Sequence, residues 1–159
     1  MTRRVGSTMV ELMFVVGAIV LLANVGMPVI QNAAIAHRAS CVVHDLEHVR
    51  AAAERFHGET RDWPPTAPPG QMPAALSSNL PPGFSFRSSH YQLAWERWAV
   101  GDGGARGLRE DDLVAVSVIA DDERLAARVA QVLGNRGTHF TLGNRTTFVI
   151  AEPDADATK

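Results

Sequence analysis

The feature that most constrains this chain is an apolar run near its N-terminus. Residues 12–30 form a stretch of 19 residues without a charge, which as an α-helix would be ~28 Å long. That length matches the ~30 Å hydrocarbon core of a bilayer. Because no second apolar run of spanning length follows, the sequence predicts a single membrane crossing.

The composition excludes several classes of protein. The chain has 159 residues, about one domain at ~100–200 residues per domain. Its formal net charge is -2, whereas nucleic-acid-binding modules are usually strongly basic. Cys41 is its one cysteine, which excludes an intramolecular disulfide and a zinc site built from several thiolates. We therefore expect no nucleic-acid partner.

The charges that flank the apolar run bear on its orientation. Arg3 and Arg4 precede it, and Arg38 and Arg50 follow within about 20 residues. The positive-inside rule is therefore nearly balanced. We favour a cytoplasmic N-terminus because Arg3 and Arg4 lie in a very short head that also carries the α-amine.

Two export signals are alternatives to a membrane anchor. Ala34-Ile35-Ala36 before His37 fits the small-x-small site of a removable secretory signal, but the apolar run exceeds the ~7–15 residues of such a signal and Glu11 lies at its start. Thr2-Arg3-Arg4 could open a twin-arginine signal, yet the hydrophobic continuation is missing. Neither reading explains Glu11.

Glu11 is a carboxylate at the edge of an otherwise apolar helix. A charge inside a membrane helix costs roughly 2.5–3.5 kcal/mol on insertion scales, so a partner is expected. The surrounding residues, Gly6-Ser7-Thr8-Met9-Val10-Glu11-Leu12, resemble the cleavage and methylation signature of type IV prepilins and type II secretion pseudopilins. That signature is a short basic leader ending in Gly, with Glu at the fifth mature position. Pro28 falls at the twenty-second mature position, where this family also typically has proline, while Ser7 replaces the usual Phe.

The resemblance implies a processing and assembly route. A prepilin peptidase would remove residues 1–6 by cutting after Gly6 and would methylate the new amine of Ser7. Glu11 would pair with the N-terminal amine of a neighbouring subunit, since such a pair is strong at low dielectric while either charge alone is costly. Thr8 and Pro28 would join Glu11 as assembly residues.

The resemblance also implies a location and a set of partners. The protein would reside in the bacterial inner membrane as a single-pass subunit, with a cytoplasmic N-terminus and a periplasmic C-terminal domain, and would then enter a pilus or pseudopilus filament. Its partners would be the prepilin peptidase, other pilin or pseudopilin subunits, the inner-membrane assembly platform and membrane lipid. The missing C-terminal disulfide pair favours a pseudopilin or minor pilin.

The helical pattern continues beyond the apolar run. Apolar residues recur at alternating spacings of 4 and 3, which predicts one apolar stripe on a long helix over residues 7–57. Residues 7–30 would be its transmembrane half, weakened at Asn24, Gly26 and Pro28, and residues 31–57 would form a stem that ends near Gly58. The stripe comprises Ile35, Ala39, Val42, Leu46, Val49, Ala53 and Phe56.

The remaining residues predict a small head domain over residues 58–151. Residues 58–83 are rich in proline and predict a surface loop with one helical turn near residues 74–79. The later segments predict strands over residues 91–100 and 113–120, a helix that starts at Asp121-Asp122-Glu123 and stops at Gly134-Asn135, a hairpin of residues 138–142 and 145–151, and a disordered tail over residues 152–159. The fold class is therefore α+β, a long N-terminal helix packed on a small antiparallel sheet, as in pilins.

One motif could carry metal chemistry. His44-Asp45-Leu46-Glu47-His48 matches the H-x-x-E-H pattern of inverzincin metalloproteases. The pattern is short, and no third-ligand motif accompanies it. We expect His44 and His48 to be polar residues beside Leu46, with adventitious metal binding as the alternative.

Other candidate sites have simpler structural interpretations. The glycine-rich residues 101–107 lack the ending of a phosphate-binding loop and predict a strand connection. Asp111-Asp112 could help to bind Ca²⁺, but otherwise we expect no cofactor. Cys41 is predicted to be a small buried residue. The three tryptophans are expected to be core or loop anchors; they are Trp63, Trp95 and Trp98.

These observations favour a structural role. The chain offers no convergent nucleophile, base and oxyanion donors, so we do not expect an enzyme. The alternative is an exported or membrane-anchored periplasmic binding domain that does not polymerise. Its chain would start at His37 or remain uncut, whereas a pilin-like subunit would start at a methylated Ser7.

Overall fold

A computed structural model describes residues 7–99 and 112–151. The chain divides into two compact units, Met1–Ala36 and His37–Lys159. The predicted leader with Gly6, the glycine-rich loop with its Asp111 calcium ligand and the C-terminal tail lie outside the described residues, as does the side chain of Asp112.

The first element is a helix, α1 (Ser7–Thr60), of 54 residues. It passes through Pro28 and continues three residues beyond the predicted end at residue 57. Gly58 lies inside the helix, and the chain leaves it where Arg61 adopts a left-handed φ of 57° and its amide donates to the carbonyl of His57 at 2.8 Å. Thr60 closes the last turn by donating its hydroxyl to the carbonyl of Phe56. The expectation that Gly58 stops the helix is therefore wrong, since an αL residue at position 61 ends it.

The second unit contains a four-stranded antiparallel sheet. Its strands are β1 (Tyr91–Ala99), β2 (Asp112–Ala120), β3 (His139–Leu142) and β4 (Arg145–Ala151), in the spatial order β1-β2-β4-β3. The predicted strands and the terminal hairpin are confirmed, with Leu142 opposite Arg145 across the turn. Gly143, with a φ of 58°, supplies the left-handed conformation that this turn needs.

The core lies between this sheet and two helices. The stem part of α1, residues 37–60, lays its stripe on the sheet, and α2 (Glu123–Leu133) packs beside it. Tyr91, Leu93 and Trp95 of β1 and the even-numbered residues 114–120 of β2 point into this core, because side chains alternate along a strand. The fully buried ones include Leu93, Trp95, Val114, Val116 and Val118.

The stem stripe is largely as predicted. Ala39, Val42, Leu46, Val49 and Ala53 are buried, while Ile35 and Phe56 at its two ends are half-buried. The core also includes Val43 and Ala52, which widen the stripe. An α+β arrangement with a long N-terminal helix packed on a small antiparallel sheet is thus established.

The proline-rich segment after α1 packs against β1 and the core. Its backbone amides at Ala67 and Gly70 donate to the carbonyls of Trp95 and Leu93, at 3.2 and 2.8 Å. The predicted helical turn is a 3-10 helix at Ala74–Leu76. Leu76 is fully buried, so this segment contributes to the core instead of merely covering it.

Candidate functional site

The apolar half of α1 has no packing partner of its own within the described chain. Every residue from Thr8 to Asn24 is exposed, and Phe14 and Leu22 are 82% and 73% exposed. The helix is apolar all around, not on one side, which is typical of helices inside a bilayer or a helical assembly. Transfer of each large apolar side chain out of water is favourable by about 1.5–3 kcal/mol of free energy. The segment is therefore long and apolar enough to span a membrane, although a signal sequence would meet the same criteria.

The predicted assembly residues are spread along this half. Ser7 is the first described residue of α1, and Thr8 and Glu11 follow as exposed residues on its first turns. No described side chain forms an ion pair with Glu11. Any partner for this carboxylate must come from outside the described chain.

Pro28 lies farther along the same helix. It lacks an amide hydrogen, so it cannot donate to the carbonyl of Asn24. The side-chain amide of Asn24 donates to a different carbonyl, that of Val20, at 2.9 Å. The helix is continuous here, so the weakening predicted at Asn24, Gly26 and Pro28 does not interrupt it.

The histidines of the H-x-x-E-H motif meet on the stem surface. His44 and His48 face each other, with their Nε2 atoms 3.0 Å apart and their ring centroids 4.3 Å apart. Residues four apart lie on one face of a helix. Glu47, the residue that would act as a base, instead accepts a hydrogen bond from Arg136 at 2.6 Å. Among the described residues there is no group of three or more potential metal ligands, so within them no third ligand accompanies the two histidines.

Cys41 is not the small buried residue that we predicted. It is exposed, and its Sγ lies 3.9 Å from Nε2 of His37. Residues 39, 42, 43 and 46 form the buried stripe, and 100° per residue places position 41 well away from that stripe. The expectation failed because an apolar residue type was placed inside without regard to its helical angle.

Asp45 on the stem is hydrogen-bonded to a tyrosine of the sheet. The hydroxyl of Tyr91 on β1 donates to Oδ2 of Asp45. Burial, and then the hydrogen bond to and the negative charge of Asp45, raise the pKa of Tyr91 well above its ordinary value of 10.0. Asp45 therefore has a structural partner, whereas none of the described side chains pairs with Glu11.

The tryptophans divide between the core and the surface. Trp95 is buried and donates Nε1 to the carbonyl of Pro64 at 2.9 Å, and Trp63 stacks on His57 with ring centroids 4.2 Å apart. Both are anchors, as predicted. Trp98 is 41% exposed, so it is not a core anchor. It lies on β1 in the alternation of Glu96, on the opposite face from Trp95.

Trp98 borders a groove that sequence reasoning missed. The groove has a volume of about 320 Å³. A polar cluster occupies part of the same sheet face: Arg145 pairs with Glu96, whose Oε2 accepts from Ser117 at 2.7 Å. The alternation of β1 and β3 was the available signal, but the partner strands were needed to bring these residues together. The lining residues are Glu96, Trp98, Phe140, Leu142, Arg145 and Thr147.

Comparisons with known proteins give no family assignment. No family model matches the sequence, and no curated protein or solved structure is significantly similar to the chain.

Proposed function

We propose that this protein is a structural subunit of a type IV pilus or a type II secretion pseudopilus. It is cleaved after Gly6 and methylated at Ser7. Subunits then leave the inner membrane and pack through their N-terminal helices, with Glu11 pairing to the amine of a neighbouring subunit. Prepilin peptidase, an assembly platform, lipid and other subunits are the partners of this cycle.

One observation carries the proposal. The carboxylate of Glu11 has no partner among the described side chains and lies in a helix that is apolar on all sides. A lone charge in an apolar medium is costly, and an opposite charge within contact distance offsets that cost. Cleavage after Gly6 would create such a charge at Ser7, four residues earlier, on every neighbouring chain. The prepilin-like spacing from Gly6 to Glu11 is the second support.

The decisive experiment separates processing from assembly. Glu11→Ala is expected to be cleaved after Gly6 as efficiently as the wild type, yet to be absent from sheared or purified filaments. Peptide mass spectrometry of the N-terminus reports cleavage and methylation, and immunoblotting of the filament fraction reports incorporation. Normal incorporation of Glu11→Ala would contradict the role of Glu11 in register.

A matched control is available on the same helix. Glu54 is also an exposed glutamate of α1, and it pairs with Arg50 at the surface. Glu54→Ala should therefore be processed and incorporated normally. If the native protein instead begins at His37 or retains Met1, the proposal fails and the exported or anchored binding domain becomes the better description.

A further inference from the structure

We infer that the stem helix carries a two-histidine site for a divalent transition metal such as Zn²⁺, Ni²⁺ or Cu²⁺. The ligands are Nε2 of His44 and Nε2 of His48. The site lies outside the apolar segment and does not depend on cleavage at Gly6.

The distance between the two nitrogens supports this site. Two imidazole nitrogens that each lie ~2.0–2.1 Å from one metal ion stand roughly 3 Å apart at the angles of tetrahedral or tetragonal coordination. In this structure they are 3.0 Å apart. Little movement of either side chain is therefore needed to admit the ion.

Packing against a neighbouring aromatic ring restrains the imidazole of His48. The ring of His48 packs edge-on against Phe84, with centroids 6.2 Å apart, and His48 is half-buried while His44 is exposed. A ring restrained by packing loses less freedom when it binds a metal. The exposed side of His44 leaves the other coordination positions open to water, as in an open site and unlike a closed structural one.

Metal binding by His44 and His48 requires a change of tautomer but no release of a proton. In the metal-free form, one ring donates Nε2–H to the Nε2 lone pair of the other. When the metal binds, the donor ring moves its proton to Nδ1, and both Nε2 lone pairs then face the ion. Glu47 and Asp45 are engaged by Arg136 and Tyr91, so imidazole nitrogens are the ligands, which suits Zn²⁺, Ni²⁺ and Cu²⁺ better than Ca²⁺ or Mg²⁺.

The test is titration of the full chain, purified without a polyhistidine tag in detergent micelles, with ZnCl₂ and NiCl₂ followed by calorimetry. We expect one ion per chain, and we expect His44→Gln and His48→Gln each to lower the affinity by roughly 10²-fold, because the second imidazole binds intramolecularly. All proteins carry Cys41→Ser, because the Cys41 thiol lies 3.9 Å from Nε2 of His37 and could itself bind these metals. In that background His37→Gln is the matched control, since His37 is also an exposed histidine on α1, and its affinity should equal that of the chain that keeps His37.

Two further measurements exclude trivial explanations. Far-UV circular dichroism should be unchanged in all three variants, because His37 and His44 are exposed and His48 is only half-buried. In NMR spectra, Ni²⁺ should selectively broaden the ring signals of His44 and His48. No binding by the Cys41→Ser chain, equal losses in His37→Gln and His44→Gln, or broadening of all histidines alike would overturn the site.

Discussion

The two halves of α1 have the same secondary structure and opposite environments. In residues 37–60 the stripe is covered by the sheet and by the proline-rich segment, and Leu46 is only 1% exposed. In residues 8–24 every side chain is exposed, and Leu22 is 73% exposed. The same contrast holds for their carboxylates, since Asp45 is bound by Tyr91 while Glu11 has no described partner. The stem is covered by its own chain, whereas nothing in the described part of the chain covers residues 8–24.

The same Leu→Ala substitution in each half of α1 tests this contrast. Leu46→Ala should lower the free energy of unfolding by about 2–5 kcal/mol, because it removes a buried side chain and leaves a cavity. Leu22→Ala on the same helix should leave the unfolding of the head unchanged. Urea unfolding in detergent, followed by tryptophan fluorescence, measures both. Similar losses for the two variants would show that the apolar half is part of the same cooperative core.

The contact between Tyr91 and Asp45 should stabilise the head, whereas Glu11 should not affect its stability. Tyr91→Phe should destabilise the head by about 1.5–3 kcal/mol near neutral pH, because it removes a hydrogen bond to a charged group. Glu11→Ala should not change the stability of the head. Denaturant midpoints of the two variants test this difference.

The same contact predicts a pH dependence. The pKa of Tyr91 is raised in the folded state, so its contribution is fully present below the ordinary pKa of 10.0 and is lost as the pH rises through the folded-state pKa. Wild-type stability should therefore fall more steeply above about pH 10 than that of Tyr91→Phe. Since the chain has one tyrosine, tyrosinate absorbance reports its titration directly. An ordinary tyrosine titration in the folded protein would contradict the prediction.

Two glycines distinguish a packed position from an open one. A Cβ at Gly137 would lie 2.8 Å from Cε2 of Phe148, whereas a Cβ at Gly58 would meet nothing within 4 Å. Gly137→Ala should cost about 1–3 kcal/mol through overpacking. Gly58→Ala, inside α1, should instead stabilise the stem by about 0.5–1 kcal/mol. Thermal unfolding of both variants should give shifts of opposite sign.

The smallest expected effect concerns the start of α2. Asp122 caps this helix by accepting from the amide of Arg124 at 2.9 Å. Asp122→Ala should cost about 0.5–2 kcal/mol. Its neighbour Asp121 is exposed, and its backbone amide donates to the carbonyl of His90. Asp121→Ala should be nearly neutral, and equal losses would argue against a specific cap.

The periodic elements could be predicted from local patterns in the amino-acid sequence. The long helix, the strands, the capped α2 and the terminal hairpin follow from spacing and turn residues, because those signals are local. The apolar run of residues 12–30 could also be recognised from the sequence alone, because its length and composition are local properties. The prepilin-like motif around Glu11 is also a property of the chain alone.

Which side chains come into contact depends on the packing of distant segments and could not be predicted from local patterns. The Tyr91–Asp45 contact joins residues 46 positions apart, and the groove beside Trp98 needs β3 and β4 to lie in one sheet with β1. Cys41 was misplaced for the same reason. Residue type gives an average preference for the interior, whereas the angle around a helix and the face of a strand determine whether a given side chain is covered.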